Sequence, residues 1–251
     1  MTNNTNYRTR IYGNYARNFQ GAPKTFDRHA AWQWGRAQRY YLHDWLPQDK
    51  SARIVDLACG GGKLLYFFKR MGYSNISGVD ISPEQVELAR QVTPDVDEAS
   101  VLDWLEAHSD SIDLITGYDI IEHFHKNEVL RFLEACHGAL KRGCRLVLQT
   151  PNADSPWGTV HRYNDFTHEV GFNPNALSCL LALTGFKDIE SRETGPIALG
   201  HSLKSSVRYL IWQTIRAGLK LWNLAETGNT GSGVFTRVFL ISAEKSGTNR
   251  Q

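Results

Sequence analysis

The chain has 251 residues, 41% of them hydrophobic and 22% charged, which places it among soluble globular proteins with length enough for one large domain. Lys plus Arg number 28 against 26 for Asp plus Glu, and a net charge of +2 with no Lys/Arg block argues against a nucleic-acid partner. Cys59, Cys136, Cys144 and Cys179 lack paired metal-type spacing and read as reduced thiols of a cytoplasmic protein; the first residues lack the apolar core of a signal peptide, and no run approaches the ~20 apolar residues of a membrane span.

Residues 1–50 precede the first expected strand and are rich in aromatics. Over 26–45 their spacing suits one or two helices, closed by Pro47. Tyr12 and Tyr15 are candidates to line a site, the alternative being that such aromatics only pack a helical cap onto the sheet. At 53–57 a short apolar strand carries Asp56, and Gly60, Gly61 and Gly62 follow it. An amphipathic helix over 61–71 comes next, then a strand over 75–80 ending in Asp80. Strand, glycine turn, helix, strand, acid is half of a nucleotide-binding α/β fold. Glycines let the backbone approach a ligand, and the terminal acid can accept two hydrogen bonds from a ribose diol. A dinucleotide pattern G-x-G-x-x-G laid on Ala58 and Gly60 needs its last glycine at Lys63, which argues against a nicotinamide oxidoreductase. Small residues at alternate positions, Ala58, Gly60 and Gly62, with Asp56 two residues before, follow the pattern of S-adenosylmethionine (SAM) sites.

Ser82 and Pro83 open a helix over 83–92. A short strand near 98–101 precedes Asp103. The strand over 112–118 ends at Tyr118, and Asp119, Glu122 and His123 just beyond it face the ligand edge of an open parallel sheet. A helix over 128–140, closed by Gly143, leads to a strand over 145–150. The long segment 153–172 has little periodicity and holds His161, Arg162, Tyr163, Asp165 and His168; loops of this length inside compact domains are usually functional. A helix over 174–184 and a strand over 186–192 follow. Residues 203–224 form an amphipathic helix with Lys204, Arg208, Arg216 and Lys220 among aromatic and aliphatic residues. Such a helix can lie on a membrane surface, though packing on its own domain or on a subunit is the commoner use. The last strand covers 234–243.

VDLACGGG followed by GVDIS, then DLITGYDIIEHF and LVLQTPN, resembles the class I SAM-dependent methyltransferases over residues 53–152, with Ala58 where that family more often has glycine. The resemblance implies an α/β fold: a Rossmann-like doubly wound seven-stranded sheet with strand seven antiparallel. It implies an N-terminal helical cap (1–50) and a methyltransferase domain (51–245) with a substrate loop (153–172) and an inserted helix (203–224) between strands six and seven. SAM is the implied cofactor, with Asp56, Ala58, Gly60, Gly62, Asp80, Ile81, Leu102, Asp103 and Tyr118 as its contacts. Leu102 would pack on the adenine and Asp103 take its exocyclic amine; Asp103 reads also as a helix N-cap.

A methyl sulfonium is already activated, so the protein has mainly to align donor and acceptor. If the acceptor is a hydroxyl, a base must take its proton, and His123, His161 and His168 compete for that role, the last two clustered with Asp165. The acidic set of metal-dependent O-methyltransferases is not found, so no metal is expected. The segment containing Tyr163, Asp165, Thr167, His168, Phe172 and Gly185-Phe186 is similar to methyltransferases of bacterial surface-polysaccharide biosynthesis. That similarity implies a sugar hydroxyl as acceptor, on a nucleotide sugar or a glycan, with Arg162 and Arg208 as candidates to meet its phosphate or carboxylate groups and Tyr163 as a further contact. GYDIIEHF equally resembles small-molecule O-methyltransferases of the quinone-precursor type, and a non-catalytic SAM-binding subunit is a further rival. The oligomeric state is left open.

Overall fold

In the computed structural model the described residues are Tyr7, Ile11, 23–197 and 203–246; Tyr12 and Tyr15 lie outside them. The first strand, β1 (Ile54–Leu57), is buried along its whole length, as a central parallel strand must be when helices cover both faces. Helix α1 (Arg28–Tyr41) precedes it, N-capped by Asp27, whose carboxylate accepts from the amide of Ala30 at 2.9 Å. After β1 come α2 (Lys63–Arg70), β2 (Ile76–Asp80), α3 (Pro83–Ala89), β3 (Val96–Glu98) and α4 (Val101–Glu106). The second half runs β4 (Ile112–Tyr118), a 3-10 turn (Ile121–His123), α5 (Lys126–Ala139), β5 (Leu140–Pro151), α6 (Gly158–Tyr163) and α7 (Pro174–Leu183). It ends with β6 (Phe186–Glu193), α8 (Leu203–Thr227) and β7 (Val238–Lys245).

All seven strands join one sheet in the order β3-β2-β1-β4-β5-β7-β6. Strand β7 is antiparallel to both neighbours and the remaining pairs are parallel. Alternate residues feed two cores. Val55, Ile115, Leu148 and Ile241 face the side covered by α4, α5 and α7. Ile54, Leu114, Val147 and Leu240 face the side covered by α1, α2 and α3, where Phe67 and Phe68 are fully buried. Strand order reverses between β1 and β4, which opens a crevice at their carboxyl ends.

Some boundaries differ from the sequence reading. Strand β5 starts at Leu140, five residues early, because Leu140 is fully buried and its carbonyl accepts from the Lys245 ammonium at 2.8 Å. Strand β7 starts at Val238, because Phe235 sits in the preceding turn with its amide on Glu193 Oε1 at 2.8 Å. Helix α8 lies on the surface with no buried residue, held from one flank by Trp212 and Arg216 against Glu193, at 3.1 and 2.9 Å. Among the described residues no helix is long and apolar enough to cross a membrane.

Candidate active site

A cleft of about 970 Å³ occupies the crevice at the carboxyl ends of β1, β2 and β4. The glycine turn forms its first wall. Ala58, Gly60 and Gly62 all have positive φ, at 51°, 51° and 83°. The alternate small residues therefore mark three left-handed positions, which Ala58 occupies at a steric cost of about 1–2 kcal/mol. Ala58 and Gly60 line the cleft, whereas Gly62 faces α3: a Cβ there would lie 3.1 Å from the Ala89 Cα. Gly62 thus serves close packing of helix on helix.

Asp80 ends β2 and lines the same wall. Its Oδ2 accepts from the amide of Gly60 at 2.8 Å and its Oδ1 from the amide of Ser82 at 2.9 Å. Each oxygen keeps a further lone pair for a ligand hydroxyl. Burial pushes the Asp80 carboxyl above its usual range, against the pull of those amides. Ile81, Leu102 and Tyr118 also line the cleft. The Tyr118 hydroxyl donates to Gln38 Oε1 at 2.9 Å, tying α1 to the end of β4.

Two expected contacts lie elsewhere. Helix α4 begins at Val101, so Leu102 faces inward while Asp103 turns outward, 76% exposed and 3.9 Å from Arg131. Ser100, not Asp103, holds the N-cap position and lines the cleft. Asp56 sits one layer below the cleft, fully enclosed, accepting from Thr116 Oγ1 at 2.7 Å. Burial pushes its carboxyl up to about 7, the Thr116 bond opposing and Asp80 adding to the rise. The folded chain therefore holds a proton at Asp56 that the unfolded chain releases above its ordinary value of 3.8, and stability falls as pH rises from there toward about 7. Asp56→Asn keeps an acceptor for Thr116 and cannot ionise. From pH ~5 to pH ~8 the thermal midpoint of the native chain should drop relative to that of the variant. Parallel curves would show that Asp56 is no net titrating group.

The far end of the cleft is built from the turn after β4 and from the segment around α6. His123, His161 and His168 all line it, with Asp119, Glu122, Asn164 and Asp165. His123 Nδ1 is 2.9 Å from Thr167 Oγ1, and that hydroxyl donates its single proton to Asp165 Oδ1 at 2.6 Å. The proton between His123 and Thr167 must then belong to Nδ1, which makes Nε2 the lone-pair nitrogen. His168 Nδ1 donates to the carbonyl of His161 at 3.0 Å, so its Nε2 is also the lone-pair nitrogen. Its ring stands edge-on to His123, with centroids 4.8 Å apart.

Glu122 is 1% exposed and accepts from Thr150 Oγ1 at 2.9 Å, while its Oε1 makes no hydrogen bond and lies 3.9 Å from His168 Nε2. Burial first, and the nearby Asp119 second, push its carboxyl well above the usual range. Asp119, at φ 53°, is held by the side-chain amide of Gln149 at 3.1 Å; it is exposed to the open cleft, and partial desolvation by the surrounding walls raises its carboxyl. Burial and Arg237 lower the pKa of His161, keeping it neutral. Glu122, His123 and His168 each offer one ligand atom within 4.8 Å of the others, a set with the composition of a divalent-cation site. The raised Glu122 carboxyl would have to give up any proton it holds to serve as a ligand.

Arg162 and Tyr163 do not line this end. The guanidinium of Arg162 donates to the carbonyls of His168 and Glu169, the latter at 2.8 Å, and so braces the segment that carries His168. Tyr163 is 76% exposed. The sequence places Thr167 and Asn164 in the functional loop but assigns neither a role, and it misses the bridge that Thr167 makes from His123 to Asp165. The available signal for Thr167 was Asp165-x-Thr167, a local turn in which Asp165 Oδ1 also accepts the Thr167 amide at 2.9 Å.

A methyltransferase-domain family matches residues 27–191, well over half of the chain. The chain belongs to that methyltransferase family. It is SAM-dependent, and the glycine turn, Asp80 and the Leu102 wall fit a nucleoside bearing a small charged tail. A SAM-dependent methyltransferase from Archaeoglobus fulgidus has the same fold, with a TM-score of 0.64 at 19% identity, covering 92% of this chain and 98% of that one. A Haemonchus contortus phosphoethanolamine N-methyltransferase bound to phosphomonomethylethanolamine and S-adenosylhomocysteine superposes with a TM-score of 0.60 at 15% identity, over 96% of this chain and 59% of that one. Ubiquinone biosynthesis O-methyltransferase from Xanthomonas campestris is 34% identical over 107 residues, 40% of this chain. The match spans only 44% of that relative's length.

Proposed function

We propose that this methyltransferase acts on a sugar hydroxyl, on a nucleotide sugar or a surface glycan, with His123 as the base. The observation that supports it is the lining of the far end of the cleft. Asp119, His123, His161, Asn164, Asp165 and His168 offer donors and acceptors there, beside the apolar Ile120, Phe124, Pro151 and Val238. A polyol can satisfy such groups; a prenylated ring would desolvate them without replacing their hydrogen bonds.

SAM, when bound, supplies a methyl made electrophilic by its sulfonium. Asp80 would take the ribose hydroxyls, and Ile81 and Leu102 would flank the base. At the other end His123 Nε2 takes the acceptor proton as the oxygen gains its methyl. The imidazolium that then forms would be stabilised through the hydrogen bonds from Nδ1–H to Thr167 and from Thr167 to the Asp165 carboxylate. His161, being neutral, orients the acceptor by hydrogen bonding rather than by charge. The open cleft lets the proton return to water.

Thr167 in this scheme is a positioning residue. Thr167→Val should lower kcat by about tenfold, the worth of one hydrogen bond of ~1–1.5 kcal/mol, with the acceptor KM unchanged. Thr167→Ser, which restores the bridging oxygen, should recover most of it. Equal losses in both variants would mean that packing, not the bridge, matters.

A quinone-precursor acceptor is the second reading, supported by the likeness to the Xanthomonas enzyme. The test is transfer of labelled methyl from SAM to a panel of nucleotide sugars and oligosaccharides beside a panel of catechol-type and prenylated phenols. Methylation of a sugar hydroxyl is the expected result. Methylation confined to the phenols would replace it with the second reading.

A further inference from the structure

Helix α8 is 25 residues long, roughly 37 Å at 1.5 Å per residue, and only one side of it touches the domain. That side is tied to the carboxyl edge of the sheet. Arg216 binds Glu193 at the end of β6 and the carbonyl of Gly233, the latter at 3.1 Å, and Trp212 binds the same Glu193. Glu193 pairs across to Phe239 of β7, next to Val238, which lines the cleft. The anchor of α8 and the mouth of the cleft thus share one edge of the molecule.

The other side of α8 is apolar and open. Leu203, Leu210, Ile211 and Trp222 are 85%, 57%, 55% and 69% exposed, with Val207 and Ile215 between them at helical spacing. From 203 to 225 the sequence contains no Asp or Glu; the one acid of the helix is Glu226 in its last turn, which accepts from Trp222 Nε1 at 2.9 Å. Lys204 and Arg208 are exposed beside the apolar stripe, and Lys220 is half-exposed. A long apolar stripe with a tryptophan, and a rim that is cationic along all but its last turn, has the composition of a helix that lies in a lipid interface. Through this face a second copy of this chain offers Lys204 and Arg208 only Glu226, which already accepts from Trp222 Nε1, so it fits the rim less well than an anionic surface does.

We propose that the outward face of α8 docks this enzyme on an anionic lipid surface. The apolar stripe enters the acyl boundary and Lys204 and Arg208 meet the headgroups, which holds the carboxyl edge of the sheet close to the bilayer.

The test is flotation of the full chain with vesicles of phosphatidylcholine alone and of phosphatidylcholine with phosphatidylglycerol. The chain should float with the anionic vesicles and far less with the neutral ones. Lys204→Glu with Arg208→Glu should weaken binding by about tenfold or more, since each cation near an anionic surface contributes roughly fivefold. Leu210→Glu with Ile211→Glu should abolish it. SAM affinity should be unchanged in both, showing that exposed changes left the fold intact. Absence of the native chain from the floated fraction would overturn the proposal, as would flotation that neither pair affects. If the native chain is a dimer that Leu210→Glu with Ile211→Glu dissolves, and it does not float, the face belongs to a second copy and the proposal fails.

Discussion

His123→Asn should lower kcat by about two to four powers of ten while the dissociation constant for SAM stays within about twofold. Asparagine places an amide near the position of Nδ1, so the bond to Thr167 can persist, but nothing replaces Nε2. The separation of the two readouts follows from geometry. His123 stands in the turn after β4, while the groups assigned to the cofactor stand on the glycine turn, β2 and α4. Loss of SAM affinity would make His123 a structural residue. A loss of kcat below tenfold would pass the base to His161 or His168, which line the same end. Chelation separates base from metal ligand. If His123 acts as a base, enzyme treated with a strong chelator should keep its rate. A rate lost to chelation and restored by a divalent cation would instead assign Glu122, His123 and His168 as its ligands.

What could be read in the sequence was local. The run Ile54 to Leu57, the glycine turn and Asp80 lie within one strand-helix-strand unit, and short-range rules fix such units. The long-range partners were not legible. Thr167 meets His123 across 44 residues, and no periodicity encodes that meeting. The outward turn of Asp103 depends on where α4 starts, and a shift of a few positions exchanges Leu102 and Asp103 on the helix face. Arg162 reads as an anion ligand from its charge and neighbours. In the fold its guanidinium donates to the carbonyls of His168 and Glu169 in its own segment and braces that segment instead. The composition of α8 was legible, but which flank would be covered depends on Glu193, a residue of β6.

Asp80→Ala should weaken SAM and S-adenosylhomocysteine by the same factor, about a hundredfold or more. Two hydrogen bonds from ribose hydroxyls to a carboxylate are worth about 1.5–3 kcal/mol each, and both ligands carry the same ribose. The variant also frees the amides of Gly60 and Ser82, which Asp80 holds at 2.8 and 2.9 Å, so the turn that lines the cleft loosens with the loss of the ligand contact. Asp80→Asn separates these effects only in part. Its amide nitrogen must face one of those two backbone N–H groups, donor against donor, so it should bind less tightly than its isosteric shape suggests. Protonation has the same consequence: burial raises the Asp80 pKa, so cofactor affinity in the native chain should fall as pH drops through that raised value, and the variants should lack this dependence. Calorimetric titration of both ligands against native chain, Asp80→Ala and Asp80→Asn reads all of this. An Asp80→Ala affinity within threefold of native would remove the ribose from Asp80. The glycine turn would then be left without the acid that makes its spacing a nucleoside site.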